Sequence, residues 1–286
     1  MRTLSYYPGC SMKAGSKFYE ASLKKVLPVY GIALKEVDDW SCCGASAAHT
    51  VSEMAGYALA ARNIAAAEPD GLDLVAPCSA CYSRSKIVNE KMREDRVLQE
   101  KINEVIEPLK WTGSIEVKNI VEIFSDYVGL AEIARKNKYD LSALKIAPYY
   151  GCVLTRLTRV KPFDDRENPE SMDDLLGALG AGLINWPYKM ECCGASKTIT
   201  HRETTRRLSD KIMDMAINRG ANVIVTPCPL CQMNLDLLPS LGRTAPSLPV
   251  LFLSEVFELA LFGRLAGRGS HMIATDTVLS RVKEAA

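Results

Sequence analysis

Leu4 to Tyr7 is a short apolar run closed by Pro8-Gly9, the pattern of a buried strand. Behind it, Phe18, Tyr19, Leu23, Val26, Leu27 and Tyr30 recur at helical spacing between Ser16 and Gly31, which is placed to stop the helix. Ala33 to Val37 reads as a second strand. Val51 to Glu68 is an alanine-rich periodic helix turned back by Pro69-Asp70-Gly71, and Asp73 to Ala76 is a third strand. The order then repeats. Strand Lys145 to Tyr149 is followed by a helix opened by Asn168-Pro169 and closed near Gly180. Strand Leu183 to Trp186, a helix from Arg202 to Arg219 and strand Asn222 to Thr226 complete the second pass. Alternating strands and helices predict an α/β protein of two pseudo-symmetric halves, each a small parallel sheet flanked by helices. The expected domains are residues 1–140 and 141–286.

Two further segments stand outside the repeat, and a third extends it. Tyr82 to Lys110 is highly charged, with Val88, Met92, Leu98, Ile102, Val105 and Leu109 at mostly helical spacing, and is expected to form a long amphipathic arm that helps dock a partner. A helix from Ile120 to Lys136 should close the first half, and its Val121-Glu122-Ile123-Phe124 is echoed by Ser254-Glu255-Val256-Phe257. Past Gly267 the tail is polar and is expected to be loosely held.

Charge narrows the field. The 286 residues carry 35 basic and 34 acidic side chains, which argues against a nucleic-acid footprint and against electrostatic membrane anchoring. The N-terminal stretch has no long apolar core of a secretory signal, so a cytoplasmic location is expected. Val250 to Leu265 is too short and too charged, with Glu255 and Glu258, to insert in a bilayer.

The chemistry lies in the cysteines. Cys42-Cys43-Gly44-Ala45-Ser46 returns letter for letter as Cys192-Cys193-Gly194-Ala195-Ser196, and Cys78-x-x-Cys81 returns as Cys228-x-x-Cys231 at the same offset. Upstream, Cys10 follows Tyr6-Tyr7-Pro8-Gly9 and Cys152 follows Pro148-Tyr149-Tyr150-Gly151. The ten cysteines therefore fall into two sets of five. Adjacent cysteines are poor disulfide partners, and in a reducing compartment ordered spacing points to metal or redox chemistry. Zinc takes four thiolates and would leave one idle in each set. A conventional four-iron cluster meets the same objection, and a thioredoxin-like pair would leave three unexplained. Counting favours iron–sulfur chemistry over zinc and thiol redox without excluding either.

Gly-Cys, Cys-Cys-Gly and Pro-Cys-x-x-Cys, each given twice, resemble the paired cysteine-rich domain of the B subunit of heterodisulfide reductase, from Tyr6 to about Phe262. The resemblance implies two [4Fe-4S] clusters of non-cubane form. Cys10, Cys42, Cys43, Cys78 and Cys81 would hold one, and Cys152, Cys192, Cys193, Cys228 and Cys231 the other. It further implies a small-molecule disulfide, such as the coenzyme M–coenzyme B heterodisulfide, reduced or formed between the clusters. The implied partners are a ferredoxin-like C subunit and a flavin-containing A subunit. The same module occurs in electron-transfer subunits of succinate, lactate, glycolate and sulfur-oxidising oxidoreductases, which is the main alternative. A zinc-stabilised interaction protein is the second.

Other residues near the cysteines are candidates for substrate contact. Lys13, Lys17, Arg84, Arg156 and Lys197 could hold an anionic thiol substrate. His49 and His201 follow the two cysteine pairs closely enough to reach a cluster edge, although a surface helix-start role is the plainer expectation. Trp40 and Trp186 are expected to pack over the sites, and Gly44 and Gly194 to allow close approach or positive φ.

Overall fold

The computed structural model describes residues 1–45, 47–157 and 160–284; Ser46 of the first repeated motif lies outside them. In the first half, β1 (Arg2–Tyr6), β2 (Ile32–Glu36), β3 (Leu74–Val75) and β4 (Val117–Lys118) form an all-parallel sheet in the order β2-β1-β3-β4. In the second, β6 (Lys145–Pro148), β7 (Gly182–Leu183), β8 (Val223–Thr226) and β9 (Val250–Phe252) give the same order, β7-β6-β8-β9, again parallel throughout. The chain is thus α/β with two similar halves. Each sheet has four strands where periodicity marked three. Val117–Lys118 is too short to alternate visibly, and Val250–Phe252 runs without a break into an apolar helix, so neither strand has a pattern of its own.

Helices fill the crossovers. In the first half these are α1 (Gly9–Lys13), α2 (Lys17–Val26), α3 (Ala48–Val51), α4 (Glu53–Ala67), α5 (Ser79–Glu94) and α6 (Arg96–Val105). α2 passes into a 3-10 turn ending at Gly31, whose left-handed φ of 72° terminates it. Ser52 caps α4 by accepting the Ala55 N–H at 3.3 Å. After β4, α7 (Ile120–Glu122) opens on an Asn119/Glu122 capping box, continues as a π-helical stretch over Ile123–Val128 and breaks at Gly129 before α8 (Leu130–Lys136). The expected single helix is therefore interrupted. A short strand β5 (Tyr139–Asp140) precedes the second half, which carries α9 (Ser171–Ala178), α10 (Arg202–Asn218), α11 (Pro229–Ser240) and α12 (Leu253–Phe262). α9 begins after, rather than at, Asn168-Pro169.

The halves meet through α2 and α12. Ser22 Oγ donates to Ser254 Oγ at 2.7 Å, and Lys25 pairs with the buried Glu258 at 2.5 Å. Tyr19 stacks on Phe252 and Phe124 on Phe257, each with centroids 3.9 Å apart. Such pairs contribute about 0.5–1.5 kcal/mol each beyond the area they bury. The sequence echo around Glu122 and Glu255 is structural: Glu255 accepts the Phe252 N–H at 2.9 Å as Glu122 accepts that of Asn119, also at 2.9 Å.

The long arm does not exist as such. Asp95 takes an extended conformation and splits it into α5 and α6, with its side chain capping α6. Val88, Met92, Ile102 and Ile106 are buried in the molecule's own core. Trp111 follows them in, donating Nε1–H to Asn89 at 2.8 Å, and the buried Glu68 carboxylate accepts the N–H groups of Thr112, Gly113 and Ser114. Much of the expected docking stripe is thus turned inward, with Leu98 and Leu109 half-buried, while Val105 stays 61% exposed.

Nor is the tail loose. His271 is buried edge-on against Phe18 and pairs with buried Glu255 at 3.0 Å, and Asp236 accepts the Met272 and Ile273 N–H groups at 2.9 Å. Val278 on α13 (Asp276–Leu279) is buried, and β10 (Lys283–Glu284) pairs antiparallel with β5. A polar segment can be held by a few buried hydrogen bonds that hydropathy does not register.

Candidate functional site

In both sheets three adjacent strands deliver the cysteines at their carboxyl ends, where open α/β sheets bind ligands. β1 and β6 lead through Tyr7-Pro8-Gly9 and Tyr149-Tyr150-Gly151 to Cys10 and Cys152. The loops after β2 and β7 carry Cys42-Cys43 and Cys192-Cys193. Pro77-Cys78 and Pro227-Cys228 end β3 and β8, with Cys78 and Cys228 as N-cap residues of α5 and α11. Helix N-termini favour negative charge there.

Each set has a buried interior and an open rim. Cys43, Cys78, Cys81, Cys193, Cys228 and Cys231 are buried, whereas Cys10, Cys42 and Cys192 are exposed and Cys152 is half-buried. All ten thiols are free. Cys43 and Cys81 sulfurs lie 3.4 Å apart, their counterparts Cys193 and Cys231 3.6 Å, and Cys10 and Cys42 4.0 Å. Across the interface Cys78 and Cys228 stand near enough to shift each other's ionisation, so the sets meet at their buried ends. Tyr19 stands beside that meeting point, its hydroxyl donating to the Pro227 carbonyl at 3.0 Å. Among the described residues no three or more His, Cys, Asp or Glu side chains gather about one point as a single bound ion requires; the thiols stand in close pairs.

The crowding decides their protonation. Hydrogen bonds from Cys42 and Cys81 draw Cys43 down to about 3, while the same contacts push Cys42 and Cys81 up. In the second half a hydrogen bond from Cys152 draws Cys192 down to about 6, and Cys152 and Cys231 are pushed up. Sulfurs this close cannot all ionise without a cation among them, whereas a bound metal centre deprotonates its thiols outright. The backbone is shaped to the same end. Gly9 (φ 65°) and Gly151 (φ 72°) pass so near the sulfurs that a Cβ would sit 2.9 Å from Cys81 Sγ and 3.0 Å from Cys231 Sγ. Gly44 and Gly194 also have positive φ, 71° and 77°, as their place beside the cysteine pairs predicted. Donor set and cradle both fit a thiolate-bound metal centre in each half.

Tyr7 and Tyr149 are functional neighbours that sequence reasoning passed over. Both are fully buried, and each donates its hydroxyl to the carbonyl just before a cysteine pair: Ser41 O at 2.8 Å and Glu191 O at 2.6 Å. Burial and then the facing cysteine sulfurs push their hydroxyls up, so they stay protonated. The recurrence of tyrosine two residues before each Gly-Cys was the available signal. Trp40 sits edge-on to Tyr7, and buried Trp186 packs on Tyr149, donating to the Pro148 carbonyl at 2.9 Å.

The polar candidates divide. Arg84 donates Nε–H to the Ala45 carbonyl at 3.0 Å and so reaches the first cysteine loop. His49 packs against Tyr57, with its Nε2 buried and unpartnered among the described residues; burial and Arg84 hold it below the usual imidazole range. Lys13 is engaged by Glu20 at 2.8 Å and Glu36 at 2.7 Å, and Arg156 by Glu167 at 2.6 Å. Lys17 and Lys197 are exposed. His201 is exposed at the start of α10 and its ring contacts Thr200, as the plainer expectation had it. Arg156 lines a cavity of about 440 Å³ with Trp186 and Arg219 on the flank of the second half.

Among the described residues no helix is long and apolar enough to cross a membrane. Over 91% of its length the chain is 32% identical to the 8-methylmenaquinol:fumarate reductase membrane anchor subunit of Wolinella succinogenes, covering 92% of that protein. It is 27% identical, over 96% of both chains, to a protein of Archaeoglobus profundus named for its likeness to the B subunit of heterodisulfide reductase. A crystal structure of a hypothetical protein from Helicobacter pylori shares the fold, with a TM-score of 0.75 at 13% identity over 96% of this chain. The chain spans about half, 52%, of that structure's chain. The cysteine-rich (CCG) domain model matches twice, at residues 4–84 and 146–236, and the chain belongs to that family.

Proposed function

We propose that this chain is the iron–sulfur catalytic subunit of a heterodisulfide reductase-type complex, acting on a disulfide/thiol pair. The observation that carries the reading is the duplicated set of five thiols at matching positions of two matching sheets, meeting across one interface. Five thiols per half exceed the needs of zinc or a conventional cluster, which supports a non-cubane [4Fe-4S] centre in each. Cys10, Cys42, Cys43, Cys78 and Cys81 would hold the first, and Cys152, Cys192, Cys193, Cys228 and Cys231 the second.

Opening a disulfide takes two electrons and yields two thiolates, and two clusters, when bound, would supply those electrons. The chain contributes the arrangement. Buried Cys78 and Cys228 bring the sets together in a dry interface, and Tyr19 on Phe252 keeps water from it. The rim at Cys10, Cys42, Cys152 and Cys192 stays accessible to a small molecule. Tyr7 and Tyr149 fix the two cysteine loops through neutral hydroxyls that add no charge. A coenzyme M–coenzyme B-like heterodisulfide suits such a site, with electrons delivered by a ferredoxin-like C subunit fed by a flavin-containing A subunit.

The kinship to a fumarate reductase subunit favours a second reading, a relay that passes electrons without touching a disulfide. Disulfide-dependent oxidation of a reduced dye separates the two. Wild type should be active, and Cys43→Ala and Cys193→Ala should each abolish turnover. Near-normal disulfide reduction by either variant would leave a single working site in place of two, and iron-loaded wild type with no disulfide-dependent dye oxidation would leave the relay reading.

A further inference from the structure

The two halves repeat each other closely in their cysteines, and they differ in the charged and polar groups placed around them. Six residues after Cys78 stands Arg84; six after Cys228 stands Asn234. Arg84 is half-buried and donates to the Ala45 carbonyl at 3.0 Å, which ties the guanidinium to the residue two places after Cys43. Asn234 holds the equivalent loop with a neutral amide, donating to the Cys193 carbonyl at 2.9 Å and accepting from Thr198 at 3.0 Å.

One other paired position leans the same way, and one leans against it, since the Gly194 N–H donates to Cys192 Sγ at 3.3 Å in the second half. Directly after Cys78 and Cys228 stand Ser79 and Pro229. The Ser79 hydroxyl is buried with no partner among the described residues, a donor the second half lacks. The remaining charges do not reverse this. Lys13 is neutralised by Glu20 and Glu36, Lys91 pairs with Glu53 and Arg156 with Glu167, and Lys17 and Lys197 are exposed to solvent, where their charges are screened.

We infer that the two sites are electrostatically unequal, with Arg84 acting through the Ala45 backbone as the positioning residue that makes the first site the easier to reduce. A half-buried cation beside one anionic centre stabilises its reduced, more negative form, and hydrogen bonds toward sulfur act in the same direction. An electron entering this chain therefore settles in the first half, and a second must be driven into the other. The inference rests on the iron–sulfur reading above.

The test is a potentiometric titration of the full chain, reconstituted anaerobically and followed by electron paramagnetic resonance. Wild type should show two separable one-electron potentials. Arg84→Gln should lower the higher one by at least a tenfold change in the oxidised-to-reduced ratio, about 59 mV. Arg84→Lys, which keeps the charge, should restore most of it. Equal potentials in iron-loaded wild type, or Arg84→Lys shifting as far as Arg84→Gln, would overturn the inference. If Arg84→Gln loses its iron, Cys43→Ala and Cys193→Ala assign the potentials instead: Cys193→Ala, left with the first site, should keep the higher one, and keeping the lower would overturn the inference equally. Wild type that binds no iron would instead overturn the reading it rests on.

Discussion

Replacing Gly9 by alanine tests the claim that the backbone is shaped around the sulfurs. Two costs arise. At a φ of 65°, a side chain carries the left-handed penalty of about 1–2 kcal/mol. The new Cβ would also lie 2.9 Å from Cys81 Sγ, well inside contact distance, and relieving such overpacking costs about 1–3 kcal/mol. Gly31 supplies the control, because its φ is 72° and a Cβ there would meet nothing within 4 Å. Gly31→Ala should therefore lose about 1–2 kcal/mol and keep its metal. Gly9→Ala should lose about 2–5 kcal/mol and bind less iron, since Cys81 is the residue whose sulfur must move. Urea denaturation under anaerobic, reducing conditions gives the first quantity, and iron content per chain the second. Equal stability losses with undiminished iron in Gly9→Ala would refute the cradle.

The His271–Glu255 pair should make stability depend on pH. Both groups have raised folded values: burial drives that of Glu255, while at His271 burial works downward and is outweighed by Glu255 together with Asp236 and the Val250 backbone. The native state thus holds protons more tightly than the unfolded chain, so stability falls as pH rises through His271's folded value, above the ordinary 6.5. Thermal melts across that range should show His271→Gln less stable at the acidic end and flatter in its pH slope; an unchanged slope would contradict the pair's role. In the former arm, Ile102→Ala should cost about 2–5 kcal/mol as a core truncation, whereas Val97→Ala, 62% exposed, should stay within about 0.5 kcal/mol. Urea denaturation showing the reverse order would mean that the stripe does not belong to this core.

What the sequence disclosed was whatever recurs. Matching cysteine offsets and matching strand–helix order gave the two halves, and tyrosine before each Gly-Cys was visible though unread. Single events were harder. The break at Asp95 depends on one residue's extended backbone and the cap it provides to α6, which periodicity averages over. Burial of the tail depends on Asp236 and Glu255, distant carboxylates that receive it. Tyr19 takes its place from a helix docking across the interface, and no local pattern distinguishes it from an ordinary core tyrosine. Charged candidates were chosen by nearness in sequence. Arg84 reaches the cysteine loop because α5 begins just after Cys78 and brings it round to Ala45, whereas Lys13 meets two carboxylates instead.

Iron and acid-labile sulfide determined together on anaerobically purified wild type, Cys43→Ala and Cys193→Ala bear most directly on the central claim that each half holds its own iron–sulfur centre. Two four-iron centres predict about eight irons and eight sulfides per wild-type chain, and about half of each in either variant. Stoichiometric zinc without sulfide, or a wild-type chain with iron in one half alone, would contradict it.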